Sequence, residues 1–590
     1  MMQRILSILT LLAALAVHAT GKDLDQIITA EADALLTVPD ISGLRAAWQE
    51  HPLAHDLEQL SLAEWFGPLF SQPGSDADDA GYTQVLEEFG LDVDGLFELF
   101  PGQAGLALYN LSDMLLQKAE RPDLAILADF SGSAERLDAL MQIQFERNAQ
   151  AQQAVNPAIE HNLIQEQFMG ETLYLDEVFD GEKTYIEDGY ALVDGIFVLA
   201  SPAERLRATV ESIKSENGQP LARRAAYPQV REASGPVDAR FYLNFEAFAP
   251  DLSEALRTQT MPAPLAMFGV SGDSLNTALA LEALQAFSLD FKLQAAGIAA
   301  HSALIYREQA GLLSLLTYGE GALPQAGFVP AGALASSVSL FDLSAMFTQL
   351  EVILGTASPS APALLNIQLQ QIQTRTGVDL RRALLGNFGT EMVSFSILPE
   401  AGPAENAPIV AEQVYVLEIR DAAALSGALE ALKDMIPGVR GQIQTRDFAG
   451  ETIHSFTSPA NPAMPAAPAN SFSYVVTRTH LILCAGRVGT LQSVLTAMQS
   501  GDSGFWQSAA IQPLVEQFGN KAAVSRTYTD LAQAMESLFK TMESVRQLSA
   551  NAAVHAPAKM PELPWHFLAE TYSAREGLFS HMMLTRKEGQ

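Results

Sequence analysis

The sequence predicts an α+β fold made of two tandem homologous copies, each a mainly antiparallel sheet with packed amphipathic helices. Three observations lead there. Matched segments recur in one order along the chain, strand-like runs are joined by hairpin signals, and helical runs fall between them. The length of 590 residues is in any case too great for one ordinary core.

The recurrence is read directly from the residues. "FGLDVDGLFELFPGQAGLALYN", starting at Phe89, aligns without a gap with "TGVDLRRALLGNFGTEMVSFSI", so that Gly90 and Gly102 match Gly377 and Gly389. "RPDLAILADFSGSAERLDALM" from Arg121 matches "EQVYVLEIRDAAALSGALEAL" from Glu412, and "FMGETLYL" from Phe168 matches "FAGETIHS" from Phe448. "YALVDGIFVLASPAERLRATVESI" from Tyr190 matches "YVVTRTHLILCAGRVGTLQSVLTAM", and "GIAAHSALIY" from Gly297 matches "GLFSHMMLTR" from Gly577. A constant order with a slowly drifting offset is what a duplication leaves behind. The expected organisation is a signal peptide at 1–19, a first copy at 20–322, a hinge at 323–332 and a second copy at 333–590.

Each element follows from local chemistry. "ALLTVPDISGLRAAW" reads as a strand running into a helix, as does "ALASSVSLFDLSAMF" from Ala333. The stretch from Phe89 reads as a short helix ending near a glycine, then a strand at Gly105 to Tyr109. Leu425, Leu429 and Leu432 recur at helical spacing, and so do Leu206, Val210 and Ile213, with Leu491, Leu495 and Met498 as their counterparts. Tyr190 to Val193 and Ile196 to Ala200 flank Asp194-Gly195, a hairpin signal. Thr457 to Ser471 is a Pro/Ala tract and reads as a solvated loop, standing where the first copy has the acidic "DEVFDGEKTYIEDG".

Bulk properties bound the function. Arg4 followed by the apolar run from Ile5 to Val17 and the Val17-His18-Ala19 site predicts a cleaved secretory signal, with the mature chain starting near Thr20. No later segment stays apolar for the roughly 20 residues a span needs, so no transmembrane segment is expected in the mature chain. The expected location is therefore exported, periplasmic or extracellular. With 69 acids against 35 bases the formal charge is −34, which repels nucleic acid and excludes it as a partner. Cys484 is the only cysteine, so no intrachain disulfide is possible, and its setting in "HLILCAG" predicts an inert buried thiol.

"ADALLTVPDISGLRAAWQEHPLAHDLEQ", "GLDVDGLFELFPGQAGLAL" and "DGIFVLASPAERLRATVES" resemble the hallmark segments of a large family of exported bacterial proteins catalogued only as a domain of unknown function. The resemblance covers most of both copies and weakens at "FVPAGALASSVSLFD" and in the Pro/Ala loop. It implies no activity and no catalytic residues.

Chemical constellations are sparse. "DADDAGYTQVLE" places Asp76, Asp78 and Glu87 at calcium-loop positions one, three and twelve, but Ala80 occupies position five and Pro73-Gly74 break the leading helix, so an acidic surface loop is the better reading. His51 and His55 stand four apart, as two zinc ligands on a helix would, with no third ligand identifiable, and a surface helix start is preferred. "GDSGFW", Gly501 to Trp506, has the look of a serine nucleophile loop without its partners and reads as a turn. His301 and His581 are the histidines that coincide between copies and read as core or edge residues. No cofactor is expected apart from that one weak calcium loop. The leading expectation is a non-catalytic exported protein that binds an unknown protein or envelope partner or organises the envelope; the alternative is a hydrolase whose site is assembled from residues distant in sequence.

Overall fold

The computed structural model describes residues 23–58, 99–119, 121–131, 134–215, 219–398, 411–435, 442–457, 471–501, 504–519, 522–537 and 563–587. The signal segment and the loop holding Asp76, Asp78 and Glu87 lie outside the described residues. Helices and antiparallel strands are both present, which makes the fold α+β.

The chain divides into two compact units. The first comprises Met1–His55, Phe66–Ala255 and Leu284–Arg307, and the second Asp56–Trp65, Leu256–Ala283 and Glu308–Gln590. The segment Leu256–Ala283 belongs with the second unit although it precedes the expected hinge at 323–332. Polar contacts account for this: Ser274 Oγ donates to the Ala357 carbonyl at 2.7 Å and Ser360 Oγ donates to the Phe268 carbonyl at 2.7 Å.

In the first unit the strands are β1 (Ala34–Val38), β2 (Ala104–Leu108), β3 (Leu124–Asp129), β4 (Glu160–Phe168), β5 (Glu171–Phe179), β6 (Thr184–Val193), β7 (Ile196–Ser201), β8 (Ala239–Asn244), β9 (Leu284–Gln294) and β10 (Gly297–Tyr306). Every pairing among them is antiparallel, in the order β4-β5-β6-β7-β3-β2-β1-β8-β9-β10. β1 therefore sits inside the sheet, bonded to β2 on one side and β8 on the other. Pro39-Asp40 ends it at once: Asp40 accepts from the Gly43 N–H at 2.9 Å and caps the helix Ile41–Gln49. The β4–β5 turn places Met169 and Gly170 at φ 51° and 87°, and the β6–β7 turn places Asp194 and Gly195 at 50° and 82°. These left-handed pairs are the geometry a two-residue hairpin needs.

Alternation divides the sheet into two apolar faces. Leu106, Ile126, Phe197 and Tyr190 form one cluster, which Leu137, Leu140 and Met141 of the helix Ala134–Val155 cover. On the other face Leu175 and Gly189 meet Leu206 of the helix Ala203–Lys214, whose Leu206, Val210 and Ile213 are all buried as the spacing predicted. Burying each of these side chains is worth roughly 1.5–3 kcal/mol.

In the second unit the strands are β11 (Ala335–Leu340), β12 (Phe388–Ile397), β13 (Glu412–Ile419), β14 (Ile443–Phe448), β15 (Glu451–Thr457), β16 (Ser471–Val476), β17 (His480–Ala485), β18 (Ser525–Asp530), β19 (Trp565–Ala574) and β20 (Gly577–Arg586). Their order is β14-β15-β16-β17-β13-β12-β11-β18-β19-β20, again antiparallel throughout. Its core gathers Val338, Phe395, Val414, Ile482, Cys484, Leu491, Phe505 and Tyr528. Asp342 caps the helix Leu343–Ala357 by accepting from the Ala345 N–H at 2.8 Å.

Charges inside both sheets are paired across strands. Arg240 on β8 stands opposite Asp290 on β9, with Nε 2.9 Å from Oδ1 and Nη2 3.1 Å from Oδ2. Arg526 on β18 stands opposite Glu570 on β19 at 2.5 Å. Asp290 is fully buried, so removing its partner strands a charge in a low-dielectric interior. Replacement Arg240→Leu is expected to destabilise the protein by about 3–5 kcal/mol. The double replacement with Asp290→Leu recovers a large part of that loss, and urea denaturation of both variants measures it.

Candidate functional site

Of the residues singled out from sequence, Asp76, Asp78 and Glu87 lie outside the described residues. His51 is buried, not on the surface, because both ring nitrogens are engaged inside the first unit. Nδ1 accepts from the Leu53 N–H at 3.1 Å, which leaves Nε2 as the donor toward the carbonyls of Gly297 at 3.0 Å and Gln294 at 3.1 Å. This ring caps a helix start and the β9–β10 turn together and has no lone pair left for zinc, so the pair His51 and His55 is not a metal site.

Within Gly501–Trp506, Asp502 and Ser503 lie outside the described residues. Gly501 ends the helix Val488–Ser500 in the left-handed region, and Phe505 and Trp506 are buried. A Cβ on Gly504 would collide with the backbone of Gly327, so only glycine lets the two chains approach there. His301 on β10 stands opposite Asp290, and His581 on β20 opposite Glu570, so each backs onto one of the cross-strand ion pairs. Cys484 is completely buried among the core residues of the second unit.

The group that the structure does assemble was not among those candidates. His161 on β4, Asp176 on β5 and Glu187 on β6 each offer one ligand atom, all within 4.8 Å of one another. Among the described residues no other cluster of three such groups occurs. Leu163 pairs with Asp176, so alternation puts His161, two residues earlier, on the same face. Pairing between β5 and β6 slips between Leu175 and Glu177, so Glu187 and Asp188 together stand against Asp176. A bulge of this kind re-aims side chains, and here it turns Glu187 toward Asp176.

The cluster is enclosed. The side chains of His161, Asp176 and Glu187 are 1%, 11% and 9% exposed. His161 Nδ1 lies 3.0 Å from both Asp176 oxygens, and the Phe145 ring of the overlying helix meets the imidazole edge-on at 6.1 Å. Arg121 pairs with Glu187 Oε1 at 2.5 Å from the solvent side. His161 Nε2 and Glu187 Oε2 are buried without a hydrogen-bond partner. Burial raises the Asp176 carboxyl above its ordinary range, the contact with His161 opposes this, and the Glu187 charge adds to the rise. The sequence signal was there in the acidic block from Asp176 to Gly189, but only the bulge selects two of its acids.

In the second unit the matching sheet region holds a different group. His454 stacks on Tyr474 at 4.8 Å, where the first unit stacks Tyr174 on Tyr190 at 4.7 Å. Lys433 Nζ donates to His454 Nδ1 at 3.1 Å and to Glu430 at 2.5 Å. Burial acts to lower the Lys433 pKa, but Glu430 and Tyr474 carry it above the ordinary value, while burial and then Lys433 lower that of His454. A charged lysine held on a neutral imidazole is not poised as a general base.

The second unit also carries apolar side chains on its surface. Leu343–Ala357 and Ser360–Thr376 contain no fully buried residue, and Val352, Leu354, Leu364 and Ile367 are 41–57% exposed. Leu265, Met267 and Phe268 of the short helix Ala263–Met267 and its C-cap are 45–86% exposed. A shallow cleft lined by Glu351, Leu354, Pro362, Leu365 and Arg381 lies along the helix pair, with Arg381 and Glu351 paired at 2.7 Å.

Residues 292–556 match the model of a family described as a protein of unknown function (DUF3352), so the expected resemblance to a domain of unknown function holds over that segment. No curated protein matches the chain. Three solved structures, crystal forms I, III and IV of TP0453, match it at 10% identity. They cover 49%, 50% and 48% of this chain and 80%, 82% and 81% of their own, with TM-scores of 0.23, 0.20 and 0.21. No helix among the described residues is long and apolar enough to cross a membrane.

Burial pushes the Cys484 thiol up to about 12. The ordinary thiol value is 9.0, so the thiol contribution to stability is complete below that and is lost as pH rises toward 12. A thiol reagent is expected to label the native protein only at the rate of unfolding, with full labelling in denaturant, as followed by intact mass.

Proposed function

We propose that this is an exported, non-catalytic binding protein of the cell envelope, built from two duplicated copies, which docks a protein partner on the helices of its second half. One observation carries the docking reading. Val352 and Leu354 of the helix Leu343–Ala357 and Leu364 and Ile367 of the helix Ser360–Thr376 are apolar side chains exposed to solvent, and an exposed apolar patch of this kind marks an interaction site.

The chemistry of the patch favours a protein over a lipid surface. From Leu343 to Thr376 the only cation is Arg375, and interfacial membrane helices depend on Lys and Arg along their polar face. The formal charge of −34 likewise opposes an anionic leaflet. The fitting occupant is an apolar segment of a partner protein, laid along the two helices with a polar rim supplied by Glu351 and Arg381.

The duplication is supported by parallel detail. Both units use one strand order, with β1 to β10 answering to β11 to β20. Asp129 accepts from the Gln103 N–H at 3.1 Å and Glu418 from the Thr390 N–H at 2.9 Å, each beside a glycine that has no room for a Cβ. Met169-Gly170 and Ala449-Gly450 form the same turn. Export rests on the segment at Met1 to Ala19 alone, and N-terminal sequencing of native protein beginning near Thr20 is its check.

Docking is tested with Val352→Asp combined with Ile367→Asp, two exposed positions whose replacement leaves the core intact. In-cell photo-cross-linking from Asn366 is expected to yield a discrete partner adduct that falls at least about tenfold in the double variant. Equal adduct in the variant, at an unchanged melting temperature, would overturn the reading.

A further inference from the structure

We propose that His161, Asp176 and Glu187 form a binding site for one divalent transition metal of the zinc class, held between β4, β5 and β6 of the first unit. This goes beyond partner docking, which concerns the second unit, and the two stand or fall separately.

The first ground is geometry. One imidazole and two carboxylates converge with their ligand atoms within 4.8 Å of one another. Zinc binds nitrogen and oxygen at about 2.0–2.2 Å, so ligands on one tetrahedral ion lie roughly 3.3–3.5 Å apart. The His161 to Asp176 separation of 3.0 Å is already of that order. Glu187 closes the remaining gap by a rotamer shift on a strand that the bulge has freed from regular pairing.

The second ground is what the group lacks by itself. Glu187 is nine-tenths buried and spends Oε1 on Arg121, while Oε2 has no hydrogen-bond partner. A buried carboxylate oxygen without a donor costs free energy unless something positive faces it. Asp176 brings a second carboxylate into the same enclosure, and Arg121 reaches it only from the rim, with its side chain 52% exposed. A cation at the centre neutralises both acids and supplies the missing contact at Oε2.

The donor set selects the class of ion. Calcium takes 6–8 oxygen ligands, and an imidazole in a nearly dry site does not suit it. Two carboxylate oxygens and one nitrogen leave a fourth position for water or a ligand atom, as zinc and its neighbours accept. Binding through Nδ1 takes the imidazole tautomer with its proton on Nε2, so that the Nδ1 lone pair faces the ion in place of the hydrogen bond to Asp176.

The test uses the tag-free mature chain, dialysed against chelator and then titrated with Zn²⁺ alone. One equivalent is expected to bind, and Glu187→Gln and His161→Gln are each expected to weaken it at least about tenfold. Cobalt substituted for zinc gives visible absorption bands in the wild type that both variants lose. Less than one equivalent in the wild type, or equal affinity in all three proteins, would overturn the proposal. Because Glu187→Gln preserves size, its fold is checked by melting without metal. If either variant fails to fold, the ¹⁵N resonances of the His161 ring in the wild type decide: a zinc-dependent shift supports the site and unchanged resonances refute it.

Discussion

Everything in each unit hangs on one constraint, that the first strand of the sheet ends up in its interior. β1 takes β2 on one edge and β8 on the other, and β11 takes β12 and β18 in the same way. A strand with both edges bonded has its N–H and C=O groups satisfied within the sheet, so it must stop cleanly at each end. Ala34 and Leu35 are buried, and the Pro39-Asp40 pair that ends β1 also starts the helix Ile41–Gln49. Once β1 is fixed, the four strands from β4 to β7 can extend the sheet only beyond β3, and β9 and β10 only beyond β8.

The cross-strand ion pairs follow from the same arrangement. β9 is interior too, so a charge on its covered face must find its partner on the neighbouring strand. Asp290 takes Arg240 from β8, and Tyr227 lies 5.8 Å from that guanidinium. Glu570 takes Arg526, with Trp506 at the same 5.8 Å. An aromatic over a guanidinium is compatible with burial because the weakly hydrated face of arginine tolerates it. His301 and His581, which read from sequence as core or edge residues, stand on the far side of these acids, and their shared position has that physical cause.

Much of this architecture was legible in the residues. Period-two and period-3.6 spacing found the helix at Ala203 and its match at Val488, and Asp194-Gly195 found its hairpin, because local chemistry alone decides those features. Cys484 was legible for the same reason, since a thiol inside an unbroken apolar strand has nowhere to go but the core. His51 was not, because its role is to close a turn some 240 residues away, and no spacing encodes that. The His161 cluster was hidden for a related reason. Its three residues lie on three strands, and a register slip between Leu175 and Glu177 decides which acids of a crowded acidic block face inward. Leu256–Ala283 groups with later residues through serine hydroxyls, contacts too generic to read in a sequence.

The interior position of β1 also sets the order in which each half can be made. A chain emerging from its N-terminus presents β1 first, yet the strand that completes its second edge, β8, arrives about two hundred residues later. Hairpins such as β4–β5 and β6–β7 close over two-residue turns and form within microseconds, so they are finished long before. Pairing β1 with β8 closes a loop of about two hundred residues, and contacts so distant in sequence are intrinsically slow to form. Until then β1 is an open edge, the form in which a nascent chain is most prone to pair with the wrong neighbour. Its length of five residues limits that exposure.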